Sequence, residues 1–279
     1  MGLITVAIDS QMLDTYSLCE EKFNLSFVKL VAPLTKADAL EKGSMIHEML
    51  KTYYTLWSVG VDYQERVSQS IEAGILKSSS WIDDEMRESM VKTFRDYAAY
   101  YQNDTWIVKA VEKPFSKILY ESEEEELRFL YEGIIDLQVE VPKLETDCVV
   151  DHKTMGRKTP ANFMSNQFKG YAWATGASRV IINKIGLQKT LSIPERMTRE
   201  PLYYPESIIE EWKQDTIEWI RQMLSSYGRN IWKKNPTSCD KFGGCWLRDI
   251  CMSEPKIRGF KIMRDFKEGR EWNPAGNLK

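Results

Sequence analysis

Two stretches of this 279-residue chain carry residue types that can do chemistry together: Gly133-Ile134-Ile135-Asp136 and, after fourteen intervening residues, Asp151-His152-Lys153. In an extended strand, residues two apart project from the same face, about 6–7 Å from each other. Asp151 and Lys153 would therefore point together and His152 the other way. The turn-forming run from Pro142 to Asp147 would fold the strand of Asp136 back antiparallel and bring two carboxylates onto one surface. Such a pair repels unless a cation lies between them, and hard oxygen donors suit Mg²⁺ or Mn²⁺. A lysine beside that ion can orient or deprotonate water, or neutralise charge developing on a phosphate. Taken alone, an aspartate two residues before a lysine is common and reads rather as an exposed strand of alternating charge.

Three neighbours change the balance. Gly43-Ser44-Met45-Ile46-His47 falls in a segment of helical periodicity, with His47 on a face able to look toward the sheet. Gln167 and Tyr171 stand four apart just after the Asp151–Lys153 strand and share a helix face. Glu112, on the strand before that of Asp136, is a further carboxylate, for which an ordinary surface role is the better expectation.

In this order, G-x-x-x-H, G-x-x-D, D-x-K and Q-x-x-x-Y, the set resembles the RecB-like branch of the PD-(D/E)xK nucleases, from about Tyr16 to Tyr171 by motif. The resemblance implies an α/β fold with a restriction-endonuclease-like core, a mixed central sheet flanked by helices. It implies that His47, Asp136 and Asp151 hold Mg²⁺ or Mn²⁺, with the backbone carbonyl of His152 as a further ligand. Asp136, Asp151 and Lys153 would form the catalytic set, Lys153 serving the attacking water, and Gln167 and Tyr171 would contact the substrate strand. The second acid is Asp151 where Glu is commoner in the family; its shorter side chain still coordinates.

The five cysteines do not suggest a disulfide framework. Cys148 sits in an apolar strand and reads as a small buried hydrophobe. Cys19, Cys239, Cys245 and Cys251 make a set of four, which matches tetrahedral Zn²⁺ or a [4Fe–4S] cluster. Structural zinc usually uses closely paired knuckles, and none occurs here. One N-terminal cysteine plus three near the C-terminus resembles the iron–sulfur nucleases of the RecB-like branch, such as the exonuclease of CRISPR adaptation, and extends the resemblance to Cys251. That implies a [4Fe–4S] cluster on these four residues, although the C-x₂-C pair common in those nucleases is missing. Joining Cys19 to Cys239 would restrain a loop of some 220 residues, worth roughly 5 kcal/mol on the chain-entropy model. Trp232, Trp246 and Phe242 lie in the same tail and can stack on bases, with core packing the expected role.

The elements that must position these groups follow from periodicity. The run Lys36–Trp57 is helical, with Leu40, Ile46, Leu50, Tyr53 and Trp57 apolar, and Asp83–Tyr101 likewise with Met86, Met90, Phe94 and Tyr97. Strand signals run from Trp106 to about Val141, Phe129, Tyr131, Ile135, Leu137 and Val139 on one face and Glu132, Asp136, Gln138 and Glu140 on the other. Thr159-Pro160 predicts the N-cap and first turn of a helix to about Thr175. Val180–Leu187 is a strand, and Pro205 precedes a long amphipathic helix through Ile209, Trp212, Ile217, Ile220 and Leu224. The last forty residues read as irregular. Three segments result: an N-terminal piece 1–35 with the first cysteine, a nuclease core 36–235 with a helical insertion, and a cysteine-rich basic region 236–279.

With 38 Lys and Arg against 41 Asp and Glu, the net charge is −3, which excludes a generally basic coat on nucleic acid. Charge is nevertheless segregated. Residues 112–147 hold eleven acidic and four basic side chains, and residues 227–279 twelve basic and six acidic. No stretch nears the roughly 20 apolar residues of a membrane span, and no phosphate-cradling G-x-x-x-x-G-K-[ST] motif occurs. The sequence thus predicts a cytoplasmic protein, in the host cytoplasm if phage-encoded, with no membrane partner. Its expected function is that of a stand-alone metal-dependent DNA exonuclease, hydrolysing phosphodiester bonds at single strands or duplex ends in recombination or repair, with recombination or helicase proteins as partners. The alternatives are a non-catalytic DNA-binding accessory protein of the same fold, or the same nuclease stapled by zinc.

Overall fold

A period of two along Phe129–Val141 forces one apolar and one polar edge, and the chain obeys it: Phe129, Tyr131, Ile135, Leu137 and Val139 are all buried. The structure, a computed structural model, describes residues 3–34, 38–78, 82–157, 159–241, 244–272 and 274. From the N-terminus come strand β1 (Ile4–Ile8), helices α1 (Ser10–Leu18) and α2 (Glu20–Phe23), a π-helical turn (Asn24–Val28) and strand β2 (Val31–Pro33). Helices α3 (Asp38–Ser58), α4 (Tyr63–Lys77) and α5 (Asp84–Tyr100) precede strands β3 (Ile107–Ser122), β4 (Leu127–Val141) and β5 (Thr146–Met155). Helix α6 (Asn166–Thr175), strand β6 (Arg179–Gly186), the turn α7 (Ile193–Arg196) and strand β7 (Met197–Tyr203) lead to the long helix α8 (Glu206–Arg229). The tail carries α9 (Arg248–Met252), α10 (Pro255–Asp265) and β8 (Phe266–Glu268).

Two compact units share this chain, one built from Met1–Thr35, Ser116–Gly133 and Ser207–Lys279, the other from Lys36–Phe115 and Ile134–Glu206. Strands β3 and β4 each contribute one part to either unit.

In the second unit the end of β4 pairs antiparallel with β5, Leu137 opposite Val150 and Val141 opposite Thr146. Strand β5 runs parallel to β6, with Asp151 opposite Ile182, and β6 antiparallel to β7. This mixed sheet packs one face on α3 and α5 through Met45, Ile46, Leu50, Tyr53, Phe94 and Tyr97, which share a core with Leu137, Val139, Cys148 and Val150. Each large apolar side chain buried there contributes about 1.5–3 kcal/mol. Helix α6 lies on the opposite face, toward which Asp151 and Lys153 project. Asp62 and Asp83 cap α4 and α5, accepting the Gln64 N–H at 2.9 Å and the Met86 N–H at 2.7 Å.

Several sequence expectations shift. Lys36 lies outside the described residues, and Leu40 is 64% exposed, because it stands about 120° off the stripe of Ile46, Leu50, Tyr53 and Trp57. The strand signals over Trp106–Val141 resolve into β3 and β4, the turn between them carrying Glu126 in a left-handed conformation at φ 53°. The helix expected from Thr159 begins only at Asn166. Thr159 turns its hydroxyl to the Met155 sulfur instead of capping, Ala161 N–H bonds the Glu200 carboxylate at 3.0 Å and Met164 N–H bonds Asn162 Oδ1 at 3.0 Å. These bonds give the backbone an alternative to helix.

In the first unit β1 runs parallel to the start of β4, Ile4 opposite Leu127. Trp212 of α8 meets Tyr131 edge-on at 5.1 Å, and Tyr16 reaches Ser226 at 3.0 Å. The tail, expected to be irregular, forms α9, α10 and β8. Strand β8 pairs antiparallel with β2, Val31 opposite Glu268, a partner too distant in sequence to leave a local signal. Among the described residues, no helix is long and apolar enough to cross a membrane.

Candidate metal centre and active site

Asp151 and Lys153 leave β5 on the same face, as a period of two demands. Asp151 is 0% exposed. Lys153 Nζ donates to its Oδ1 at 3.2 Å and pairs with its Oδ2 at 2.9 Å. Burial pushes the Asp151 carboxyl up to about 6, opposed by the Lys153 charge and reinforced by that of Asp136. The lysine also donates to Gln167 Oε1 at 3.0 Å. Gln167 Nε2 in turn donates to Tyr171 OH at 2.9 Å, and that hydroxyl donates to the Ile134 carbonyl at 2.6 Å. The i, i+4 pair on α6 thus anchors the lysine to the strand of Asp136.

Continuing the β4–β5 register one step sets Asp136 beside Asp151, and Asp136 Oδ2 accepts the His152 backbone N–H at 2.9 Å. The same oxygen lies 3.6 Å from His47 Nδ1. Gly43, four residues before His47 on α3, lets the helix approach β5: a Cβ there would lie 3.2 Å from Thr154 Oγ1. Glu112 completes a trio, in which one donor atom each from His47, Glu112 and Asp136 all lie within 4.8 Å of one another. Burial raises the Asp136 and Glu112 carboxyls above their ordinary range, with His47 opposing in both. The sequence favoured a surface role for Glu112, and the structure brings it into the centre by an unusual backbone, φ 48° inside β3. A non-glycine residue in that region is strained and re-aims its side chain out of the strand's alternation.

His152 points away from Asp151 and Lys153, as expected, meeting the His47 ring edge-on at 6.0 Å and entering a polar network that the sequence reading missed. Its buried ring stacks on Tyr54, with centroids 5.6 Å apart, and burial holds it well below the ordinary histidine pKa. Asn183 Nδ2 lies 2.7 Å from His152 Nδ1 and 2.8 Å from Tyr97 OH, which meets Tyr54 OH at 2.6 Å. Arg199 Nε, which can only donate, faces Asn183 Oδ1 at 3.5 Å, so the amide nitrogen faces the imidazole and His152 Nδ1 is the acceptor. Arg199 is held between the rings of Tyr101 and Trp106, 3.6 Å from each, and pairs with Asp104 at 2.6 Å. The available signal was Asn183 itself, a polar residue interrupting an apolar strand, where burial demands partners.

The sequence pattern of the PD-(D/E)XK nuclease superfamily matches residues 10–252. The chain belongs to that superfamily. None of the curated proteins compared with it matches in sequence. A solved structure from Eubacterium rectale, described as a candidate exonuclease, is 11% identical, covers 84% of this chain and 86% of its own, and superposes with a TM-score of 0.52. At that identity the likeness is one of fold. The crystal structure of SSO0001 is 12% identical over 62% of this chain and 74% of its own, with a TM-score of 0.31. Nucleases of this superfamily use divalent metals, and the trio of His47, Glu112 and Asp136 is a donor set able to hold one.

In this superfamily member Cys19, Cys239, Cys245 and Cys251 line one cavity of about 310 Å³ with Lys22 and Lys234, while among the described residues no three of their sulfurs lie within 4.8 Å of one another. Cys19 ends α1, and its sulfur receives the Asn235 N–H at 3.4 Å, while Asn235 Nδ2 donates to the Leu18 carbonyl at 2.9 Å. Cys245 N–H bonds the Cys239 carbonyl at 2.8 Å. Cys148 is buried in the core of the other unit. Trp232 packs on Phe23 and Trp246 on Phe266, with centroids 5.9 and 5.8 Å apart; Phe242 and Gly243 lie outside the described residues.

Proposed function

We propose that the protein is a deoxyribonuclease that degrades DNA from its ends, using Mg²⁺ or Mn²⁺, in the processing of DNA for recombination or repair. The observation that carries this reading is the convergence of the His47, Glu112 and Asp136 donors beside the Asp151–Lys153 pair. The residues fit a divalent ion: oxygen donors with one imidazole nitrogen suit Mn²⁺ and Mg²⁺, and His47, Glu112 and Asp136 already set one such donor atom each within 4.8 Å of the others. His47, Asp136 and Asp151 would hold the ion with the His152 carbonyl, joined by Glu112. When bound, such an ion supplies Lewis-acid charge and acidifies a coordinated water.

The chain's own groups do the rest. Lys153 Nζ, positioned by Asp151 and Gln167, orients the attacking water and offers positive charge where a phosphate oxygen gains negative charge. Gln167 and Tyr171 hold that lysine and meet the substrate strand. Asp151→Ala and Lys153→Ala should each abolish cleavage of end-labelled linear DNA with unchanged circular dichroism, and closed circular DNA should stay intact with the wild type. Full activity in both variants overturns the site, and cutting of circles overturns the end-dependent reading.

For the four cysteines we propose a [4Fe–4S] cluster that is mainly structural. What supports it is that all four of these cysteines line one cavity. Protein purified without oxygen should be brown; colourless protein with one equivalent of zinc assigns the ligands to zinc.

A further inference from the structure

The α10 helix presents a surface that neither the metal centre nor the cysteine cavity uses. Ile257, Phe260 and Met263 are 46%, 67% and 85% exposed, an unusual display for a helix whose other side, through Ile262, packs into a small core with Leu25, Leu247 and Ile250. At about 100° per residue, the order around the helix is Met263, Lys256, Phe260, Arg264, Ile257, Lys261, across roughly 160° of surface. Apolar and cationic side chains therefore alternate, and no acid interrupts them. Residues 255–270 hold six basic side chains (Lys256, Arg258, Lys261, Arg264, Lys267 and Arg270) against Asp265 and Glu268. Among the described residues Lys256 and Lys261 form no ion pair, whereas Arg264, 5.9 Å from the Phe260 ring, is held by both carboxylate oxygens of Asp265 at 2.6 and 2.7 Å, and Arg270 pairs with Asp9.

The interleaving selects the occupant. A membrane surface calls for a continuous apolar face with the charges on the other. The centre of a protein interface is depleted in lysine. A duplex hides its base faces. An unpaired nucleic-acid strand offers phosphates and flat base faces in alternation, and proteins bind it with basic grooves and stacking aromatics.

We infer that α10 is a docking surface for single-stranded DNA, with Phe260 stacking on a base and Lys256 and Lys261 on neighbouring phosphates. The choice of DNA over RNA rests on the deoxyribonuclease reading above; the single-strand chemistry does not. The test is fluorescence anisotropy of the full chain with labelled 20-nucleotide DNA, the same sequence as RNA and as duplex, all in EDTA so that cleavage plays no part. Phe260→Ala should weaken single-stranded DNA binding by roughly tenfold, in the range for loss of one stacked base, and Phe260→Tyr should restore it. Lys256→Glu with Lys261→Glu should weaken binding further and flatten its salt dependence. Unchanged affinity in Phe260→Ala overturns the inference. So does tighter binding to phosphatidylserine vesicles than to DNA, or a wild-type dimer in sedimentation that Phe260→Ala dissociates; tighter binding to RNA overturns the choice of DNA. A protein that binds through Phe260 yet cuts no DNA with Mn²⁺ keeps this surface and loses the nuclease reading, whereas cleavage with Phe260-independent binding does the reverse.

Discussion

Replacing Asn183 by alanine probes how far the network behind β5 governs the metal centre. The side chain gives two hydrogen bonds through Nδ2, 2.7 Å to His152 Nδ1 and 2.8 Å to Tyr97 OH. Tyr97 OH keeps its partner in Tyr54, 2.6 Å away, and Arg199 keeps Asp104 at 2.6 Å. The net loss is thus one buried acceptor, His152 Nδ1, which costs about 1–3 kcal/mol, plus the small void left by the amide, about 1 kcal/mol more. A total of about 2–4 kcal/mol corresponds to a fall in Tm of about 4–16 °C at this chain size. The second consequence is functional. The His152 backbone N–H is the donor to Asp136 Oδ2, so a ring that loses its anchor lets that strand segment shift against the centre. Mn²⁺ affinity, read by calorimetric titration well below the variant's Tm, should fall by several-fold, and turnover should fall with it. Refutation has two forms: a Tm within 1 °C of wild type sinks the energetics, and a full Tm drop with unaltered Mn²⁺ affinity reduces the network to stability alone.

Three further outcomes are expected. Glu112→Gln should weaken Mn²⁺ binding about tenfold while leaving the metal-free Tm nearly unchanged; equal affinity removes Glu112 from the donor set. The Asp151 carboxyl, at about 6 in the fold against an ordinary value near 3.8, and the raised Asp136 and Glu112 favour their protonated forms and so add stability to the metal-free protein as pH falls through about 6, while buried His152, held well below its ordinary pKa, acts in the opposite sense; relative to Asp151→Asn, the wild type should therefore gain stability as pH falls through about 6. Because protons and metal compete for these groups, the Tm rise on adding Mn²⁺ should be larger at about pH 7.5 than at about pH 5.5, and a flat response contradicts this. Cys19→Ala should lose the visible absorption and much stability, whereas Cys148→Ala should keep the colour at a cost of about 1 kcal/mol; the opposite pattern would exchange the two cysteines.

What could be read from the chain was what local geometry encodes. The same-face pair Asp151 and Lys153, the alternation along β4 and the i, i+4 pair Gln167 and Tyr171 all follow from the periods 2 and 3.6, and each appears as spaced. The groups that escaped depend on conformations or partners the local pattern does not specify. Glu112 enters through a left-handed residue inside a strand, Asn183 through contacts with α5 and β7, and β8 through a strand more than 230 residues away. The start of α6 was misplaced because Glu200, on β7, satisfies the backbone that Thr159 was expected to cap. Strand β7 itself, Met197-Thr198-Arg199-Glu200-Pro201-Leu202-Tyr203, carries a proline and little alternation, which only a strand at the rim of its sheet tolerates.

The interleaving of segments also sets a timetable for biosynthesis. The unit holding the metal centre ends at Glu206, whereas the unit holding the four thiols needs residues 207–279 as well. Cys19 leaves the ribosome 220 residues ahead of Cys239, a delay of about 10–45 s at 5–20 residues per second. During that interval the first thiol and the apolar side chains of α1 and α2 have no native partners from the tail, and they depend on chaperones or on the solubility of the nascent chain. Recombinant yield of folded protein should therefore respond to growth temperature and to synonymous codon choice after residue 206, which no change to the finished molecule would reveal.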